Sequence, residues 1–254
     1  PYDIANMQLE TADAKAHLRI GWLRSVCNVF HAFAVSGFVD ELAHLAGMDP
    51  KEHLLKLLGQ RKVDPAGDGA KYTNYGHSLE NHPIDTGRHA AVVEKVAAMA
   101  GWGRSLPEGH GLGIAVHRSF LAFVAAVAEV SAGDNGAPVV HKIWMAVDAG
   151  TIVNPDRVVS QMEGAAIFGM SLALHGEITA KDGAVVEGNF DSYPVLRMNE
   201  APDAIDVHIV ESTALPGGGG EPGGPPVAPA LVNAWFAATG KRIRELPLRN
   251  AGLP

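Results

Sequence analysis

The chain has 254 residues, and its 47% hydrophobic and 19% charged content is typical of a folded globular protein and not of a disordered one. Its formal net charge of −8 at pH 7 argues against nucleic acid or an anionic membrane as the main partner. The single cysteine, Cys27, excludes an internal disulfide and a cysteine-ligated iron–sulfur cluster within this sequence.

The N-terminal part of the chain is predicted to be helical. A turn at residues 24–28 leads into a first helix, and a second helix spans Lys51 to Leu58. Five apolar residues of the first helix are spaced to share one face: Phe33, Phe38, Leu42, Leu45 and Ala46. Residues 59–84 are polar and aperiodic, which predicts a long loop, and a third helix runs from about His89 to Met99.

A strand pattern follows these helices. One strand opens at Gly111, a second spans Ala122 to Ser131, and a third spans Val139 to Val147. The tripeptide Asp134-Asn135-Gly136 is a strong hairpin signal between the last two strands. These residues therefore predict an antiparallel sheet.

A long helix is expected to begin at Asn154-Pro155, after the three strands. The mixture of strand groups and helix pairs predicts an α+β fold in which mixed sheets pack against helices. We expect two sub-domains, at roughly residues 1–105 and 106–254.

The segment from Gly217 to Pro226 is the most unusual part of the chain, with six glycines, three prolines and one carboxylate, Glu221. An alternating strand-like run, Ala204 to Thr213, precedes it, and a helix predicted from Ala228 to Gly240 follows it. Glycines let a backbone approach a ligand closely, and a helix start offers N–H groups to anions. A flexible linker is the alternative interpretation, and both stay open on composition alone. If the segment faces a ligand, Glu221 is a candidate base.

Two polar residues elsewhere have both a structural and a functional interpretation. Gln161 lies on the long predicted helix near Gly164 and Gly169, which are costly inside a helix and predict close packing. It either accompanies helix-to-sheet packing or hydrogen-bonds a flat cofactor. Arg24, in the turn before the first helix, is either a surface arginine or a group that holds an anionic ligand. The sequence has no zinc-site spacing and no phosphate-binding loop motif.

Several segments, taken in order, resemble the xanthine dehydrogenase/aldehyde oxidase family. They are WLRSV (22–26), FVDELA (38–43), DAG (148–150), QMEG (161–164), GEPGGPPVAPA (220–230) and AATGKRIRELPL (237–248). The pattern is similar to the molybdenum-binding large subunit of isoquinoline 1-oxidoreductase-type and bacterial aldehyde dehydrogenase-type enzymes. The resemblance covers almost all of residues 1–254 and corresponds to the C-terminal, cofactor-binding portion of that subunit.

This resemblance implies a molybdenum-pyranopterin cofactor, with a cytosine dinucleotide form among the options. It implies an oxidoreductase that oxidises aldehydes or N-heteroaromatic substrates with water as the oxygen source. Glu221 matches the glutamate that removes a proton from the attacking oxygen, and no protein side chain is expected as a metal ligand. By the same resemblance, five positions contact the cofactor: Arg24, Gln161, Gly218, Gly219 and Gly220.

Two departures from the family pattern bear on this interpretation. Cys27 stands where the family more often has glycine, and the first half of the usual large subunit is missing. Either the molybdenum subunit is split between chains or this sequence is a fragment of it. The resemblance implies three partners: the other half of the molybdenum subunit, an iron–sulfur subunit with [2Fe–2S] clusters, and a cytochrome c subunit as a further candidate. The compartment is left open. Two alternatives remain, a non-catalytic scaffold half of such a complex and a metal-assisted hydrolase that uses Glu221.

Overall fold

The computed structural model describes residues 2–8, 10–15, 18–65 and 73–252. Five α-helices lie in these ranges: α1 (Asn28–Leu45), α2 (Pro50–Leu58), α3 (Thr86–Ala100), α4 (Pro155–Leu174) and α5 (Val227–Thr239). Six strands accompany them: β1 (His110–Ser119), β2 (Ala122–Ala132), β3 (Pro138–Asp148), β4 (Ala180–Lys181), β5 (Ala184–Val185) and β6 (Ala204–Ile209). Among the helices so described, none is both long and apolar enough to cross a membrane.

The main sheet has the strand order β1-β2-β3-β6. The first three strands are antiparallel, and β6 adds parallel to β3. The predicted hairpin between β2 and β3 is confirmed, with Gly136 at φ 79°. The β1–β2 turn has no glycine. Its two residues, Phe120 and Leu121, adopt positive φ values of 50° and 68°.

Both faces of this sheet are covered by helices, so the α+β prediction is confirmed. Side chains alternate along β2: Val124 and Ala126 belong to the core that includes α4 and α5, whereas Phe123 and Ala125 belong to the core that includes α2 and α3. All four are fully buried. A strand buried on both faces favours a continuous apolar run, which explains the seven apolar residues from Ala122 to Ala128 at the start of β2.

Helix α5 lies against β1 at unusually short range. A Cβ added at Gly111 or Gly113 of β1 would overlap the α5 backbone around Ala234. The absence of side chains at these two positions lets the helix settle on the strand. This contact fixes where α5 begins, and therefore where the glycine-rich segment before it must end.

The buried face of α1 does not coincide with the five apolar residues that are spaced to share one face. Phe38 and Leu45 are 60% and 80% exposed, and Ala46 lies just beyond the helix and is exposed. The buried residues are smaller or polar: Asn28, Ala32, Ser36, Val39, Asp40 and Ala43. Small side chains allow α1 to approach α5 and β1 closely, and buried Asp40 meets Arg242 at 2.6 Å. Close approach and an ion pair, instead of large apolar side chains, decide which face turns inward.

Two other boundaries differ from the sequence pattern. Strand β6 ends at Ile209, although the alternating run continues to Thr213, because the pairing with β3 stops at Val147. The long predicted loop, residues 59–84, contains a bridge between Val63 and Asp85 and a short 3₁₀ turn at Asn74–Gly76. Part of it, residues 66–72, lies outside the described ranges.

Candidate active site

The glycine-rich segment is a folded loop with fixed anchor points. Its first residues cross the ends of two strands: the Gly217 N–H donates to Ala149 O at 2.8 Å, and the Gly218 N–H donates to Phe120 O at 2.7 Å. A Cβ at Gly218 would lie 2.8 Å from Phe120 Cβ. Glycine is therefore needed here for packing on the β1–β2 turn.

The middle of the loop is open, whereas its beginning is packed. A Cβ at Gly219 or Gly220 would meet nothing closer than 3.9 Å, from Val158 and Gln161 respectively. Of the three glycines predicted to approach a cofactor, Gly219 and Gly220 thus have free space beside them and Gly218 does not. The end of the loop is packed again, since a Cβ at Gly223 would lie 2.8 Å from Ala165 Cβ.

Arg24 joins the loop to α4. Its Nε donates to Gly220 O at 2.8 Å, and its Nη2 also contacts that carbonyl. The same Nη2 donates to the backbone oxygen of Gln161 at 3.1 Å and to its side-chain Oε1 at 2.9 Å. Burial lowers the pKa of Arg24, and the charge of nearby Glu221 opposes that shift. Three residues that are far apart in sequence and were predicted separately therefore meet in one cluster.

Gln161 is exposed on α4, with its carbonyl oxygen directed to Arg24. Its amide NH₂ donates to no other side chain or carbonyl among the described residues. The predicted close packing of α4 is confirmed at Gly169, where a Cβ would lie 2.7 Å from Val227 Cβ, while Gly164 meets only Arg24 Nη1 at 3.8 Å. The helix thus packs on the start of α5 and leaves the Gln161 amide available.

Glu221 is held through one of its two carboxylate oxygens. Its Oε2 accepts the backbone N–H of Ser25 at 2.7 Å, and its own carbonyl accepts the Ser25 hydroxyl at 2.6 Å. Within the described part of the chain, Oε1 receives no hydrogen bond. The side chain is half-buried. A carboxylate fixed at one oxygen and free at the other is placed to accept a proton.

The turn that supplies this N–H has an uncommon backbone. Ser25 and Val26 lie at φ 73° and φ 51°, in the left-handed region that a β-branched residue rarely adopts. Cys27, by contrast, has an ordinary φ of −69°. The position where the family more often has glycine therefore does not require glycine here, and the unusual geometry falls on the two residues before it.

Buried side chains that the sequence did not indicate support this turn. Asn28 donates through Nδ2 to Ser25 O at 3.0 Å, and its Oδ1 lies 3.0 Å from His117 Nε2 on β1. The Tyr75 hydroxyl lies 3.5 Å from the same Oδ1. An asparagine at a helix start is a usual capping signal, but nothing in the sequence pairs it with a strand histidine.

An aromatic pair lies beside the loop and was also not predicted. The rings of Tyr75 and Phe120 are 5.0 Å apart with an interplanar angle of 31°. Tyr75 is 45% exposed and has a left-handed φ of 56°. Because Phe120 O accepts the Gly218 N–H, the pair flanks the beginning of the glycine loop.

The cluster offers a flat group one hydrogen-bond donor, one acceptor and an open backbone edge. The Gln161 amide offers a donor, the Gly219–Gly220 backbone offers an edge without side chains, and Glu221 offers a free carboxylate oxygen. Over the ranges that the structure covers, no group of three or more His, Cys, Asp or Glu side chains could hold a metal ion.

Comparison with protein families matches residues 93–202 to a family described as "Molybdopterin cofactor-binding domain". This range includes the three antiparallel strands and α4 with Gln161. It does not include Arg24 or Glu221, so the roles of those two residues stay predictions.

Three curated relatives are similar along nearly the whole chain. Membrane-bound aldehyde dehydrogenase [pyrroloquinoline-quinone] of Gluconacetobacter polyoxogenes is 35% identical over 94% of the chain. The beta subunit of isoquinoline 1-oxidoreductase from Brevundimonas diminuta is 31% identical over 98%, and a nicotinate dehydrogenase subunit from Pseudomonas putida is 33% identical over 98%. The chain spans only 30%, 29% and 20% of these relatives' own lengths.

Proposed function

We propose, because the chain belongs to the molybdenum-binding subunits of the xanthine dehydrogenase/aldehyde oxidase family, that the cluster around Glu221 is one wall of a molybdenum-pyranopterin pocket. The observation that carries the proposal is the state of the Glu221 carboxylate. It is fixed by Ser25 on one oxygen and free on the other, in a loop that Arg24 ties to Gln161. Such an arrangement suits a base and has no evident purpose in a linker.

The reaction we infer is oxidation of an aldehyde or an electron-poor N-heteroaromatic ring at an activated C–H bond, with water as the oxygen source. When bound, the cofactor supplies the oxygen nucleophile and accepts the electrons. Oε1 of Glu221 would take up the proton from this oxygen. The Gln161 amide would donate a hydrogen bond to the pterin, and Arg24 fixes the loop by holding the Gly220 carbonyl.

The same proposal includes partner chains. Since Cys27 is the single cysteine, electrons would leave through [2Fe–2S] clusters on another subunit, with a cytochrome c subunit as a further candidate acceptor. Since the chain spans 30% or less of the three relatives, the remaining part of the molybdenum subunit would complete the pocket.

The experiment is analysis of the native complex that contains this chain, for molybdenum, pterin and pyrroloquinoline quinone, with turnover of wild type and Glu221→Gln. We expect molybdenum and pterin in both proteins and a kcat lower by roughly 10²- to 10⁴-fold in the variant. Glu211→Gln, an exposed carboxylate upstream of the loop, is the matched control and should keep wild-type turnover.

Other outcomes identify other functions. Unchanged turnover in Glu221→Gln excludes this residue as the base. An inactive complex without molybdenum favours a scaffold half, and chelator-sensitive hydrolysis without redox-dye reduction favours a metal-assisted hydrolase. Quinone in place of pterin would overturn the cofactor assignment.

A further inference from the structure

The turn at residues 24–27 holds a conformation that it would not adopt alone. Two consecutive residues without the freedom of glycine, Ser25 and Val26, have positive φ. Conformations of this kind persist only where the surrounding structure imposes them, and they concentrate at functional sites. Ser25 is completely buried, so the groups that impose its conformation belong to the protein.

One buried side chain makes the decisive contacts. The carbonyl oxygen of Ser25 accepts two hydrogen bonds from Asn28, one from its backbone N–H and one from its side-chain Nδ2, each of 3.0 Å. Asn28 is 8% exposed, so solvent competes little for these bonds. With Nδ2 used in this way, Oδ1 must be the group that faces His117.

His117 connects this side chain to the rigid sheet. It lies on β1 opposite Val124 of β2, and its Nε2 is 3.0 Å from Asn28 Oδ1. Because Oδ1 can only accept, Nε2 carries the hydrogen and donates. Burial lowers the pKa of His117 to about 4, with a smaller contribution from nearby His31, so the ring is neutral near pH 7. The donor tautomer is thus kept under ordinary conditions.

These contacts form a continuous path to the proposed base. It runs from His117 to the Asn28 side chain, to the Ser25 carbonyl, and from the Ser25 N–H to Oε2 of Glu221 at 2.7 Å. The Ser25 hydroxyl adds a second contact, to the Glu221 carbonyl at 2.6 Å. Both the carboxylate and the backbone of Glu221 are therefore located by one turn.

We propose that Asn28 and His117 are positioning residues, which fix the Ser25 turn on β1 so that its N–H holds Glu221 with Oε1 directed into the pocket. This inference rests on the proposed role of Glu221 as a base. Neither residue touches substrate or cofactor. Their effect on turnover would come from the angle and distance at which Oε1 meets the reacting oxygen.

The first test measures the turn itself and does not depend on activity. Amide hydrogen–deuterium exchange is followed at Ser25 in the full chain, for wild type, Asn28→Asp and His44→Gln. Asn28→Asp keeps the shape but replaces the Nδ2 donor by an oxygen, so we expect faster exchange at Ser25. His44→Gln changes an exposed histidine of the same helix and should leave it unchanged. Unchanged exchange in Asn28→Asp overturns the proposal.

The second test compares two replacements of His117. Gln can still donate to Asn28, whereas Leu cannot. We expect His117→Leu to accelerate Ser25 exchange and to lower kcat of the complex by about tenfold to 10²-fold, while KM and molybdenum content stay unchanged. His117→Gln should keep Ser25 exchange and kcat close to the wild-type values. Equal exchange and equal kcat in the two variants would contradict a positioning role. This second test decides the proposal even if Asn28→Asp does not fold.

The two proposals fail in different ways. If Glu221→Gln keeps full turnover, the base assignment is lost while the exchange results still stand. If the Ser25 exchange responds but kcat of the His117→Leu complex does not, the turn is a structural support only, and the positioning role is excluded.

Discussion

The N–H of Ser25 lies 2.7 Å from Oε2 of Glu221, although 196 residues separate the two in sequence. The contact joins the turn before α1 to the loop before α5, and α1 and α5 themselves pack together. A charge-assisted hydrogen bond from a backbone N–H has fewer ways to rearrange than one from a side chain. The orientation of Glu221 is therefore set by the fold, and not by a flexible neighbour.

The loop glycines should separate into two classes on mutation. Gly218→Ala places a methyl group 2.8 Å from Phe120 Cβ, so we expect it to lower the free energy of unfolding by about 1–3 kcal/mol. Gly219→Ala has open space, so the free energy should change little while molybdenum content or turnover of the complex falls. Denaturant unfolding and metal analysis of both variants check this. Full cofactor content and activity in Gly219→Ala would show that the open edge is not used.

Arg24→Lys tests the geometry of the arginine and not its charge. A guanidinium can reach Gly220 O and both oxygens of Gln161 together, whereas one ammonium cannot. We expect a loss of about 1–3 kcal/mol of unfolding free energy and reduced molybdenum in the complex. Arg157→Lys, an exposed arginine on α4, is the control that should change neither. Equal behaviour of the two variants would contradict the role of Arg24 as the link between loop and helix.

Much of this framework was predictable from local sequence patterns. The strand pattern and Asp134-Asn135-Gly136 located the antiparallel strands, and Asn154 signalled the start of α4, where its side chain accepts the Arg157 N–H at 3.2 Å. The resemblance named Arg24 and Gln161 as cofactor contacts, a role that stays a prediction, and in the structure the two residues bond to each other beside Glu221. Their meeting depends on contacts across the fold, which local patterns do not carry.

The rest could not be predicted, for physical reasons that differ between sites. Positive φ at Ser25 and Val26 has no sequence signal, because neither residue favours it and the surroundings impose it. The pairing of Asn28 with His117 needs the position of β1 relative to α1. The apolar spacing of α1 did not reveal its buried face, because close helix approach selects small side chains there and leaves Phe38 exposed.

Adjacent carboxylates on α1 should differ strongly in their contribution to stability. Asp40 and its partner Arg242 have side chains 9% and 10% exposed, whereas Arg244, the partner of Glu41, is 72% exposed. Burial raises the pKa of Asp40 and the Arg242 contact opposes that shift. Removing one member of a buried pair leaves the other charge without compensation.

We therefore expect Asp40→Ala to cost about 3–5 kcal/mol of unfolding free energy. Glu41→Ala, which breaks the exposed pair, should cost about 1 kcal/mol or less. Denaturant titration of the two variants at one pH measures the difference. Similar losses would mean that the Asp40–Arg242 pair is solvated more than its burial indicates.

Acid should destabilise the chain through its buried histidines. The pKa of His117 falls from 6.5 in the unfolded chain to about 4 in the fold, mainly because burial disfavours the charged ring. Burial also places the pKa of His89 well below 6.5. Between these values the unfolded chain binds more protons than the native chain, so the free energy of unfolding rises with pH. The stabilisation is complete above about pH 6.5 and is lost as the pH falls toward about 4.

For His117 alone the loss amounts to roughly 3 kcal/mol at its limit. Urea unfolding at a series of pH values should show this slope in wild type and a shallower one in His117→Gln, which keeps the parts due to His89 and the other titrating groups. His77→Gln, at an exposed loop histidine, should keep the wild-type slope. If His117→Gln instead follows the wild-type curve, the ring of His117 is protonated in the native chain, and it cannot be the neutral donor that holds Asn28.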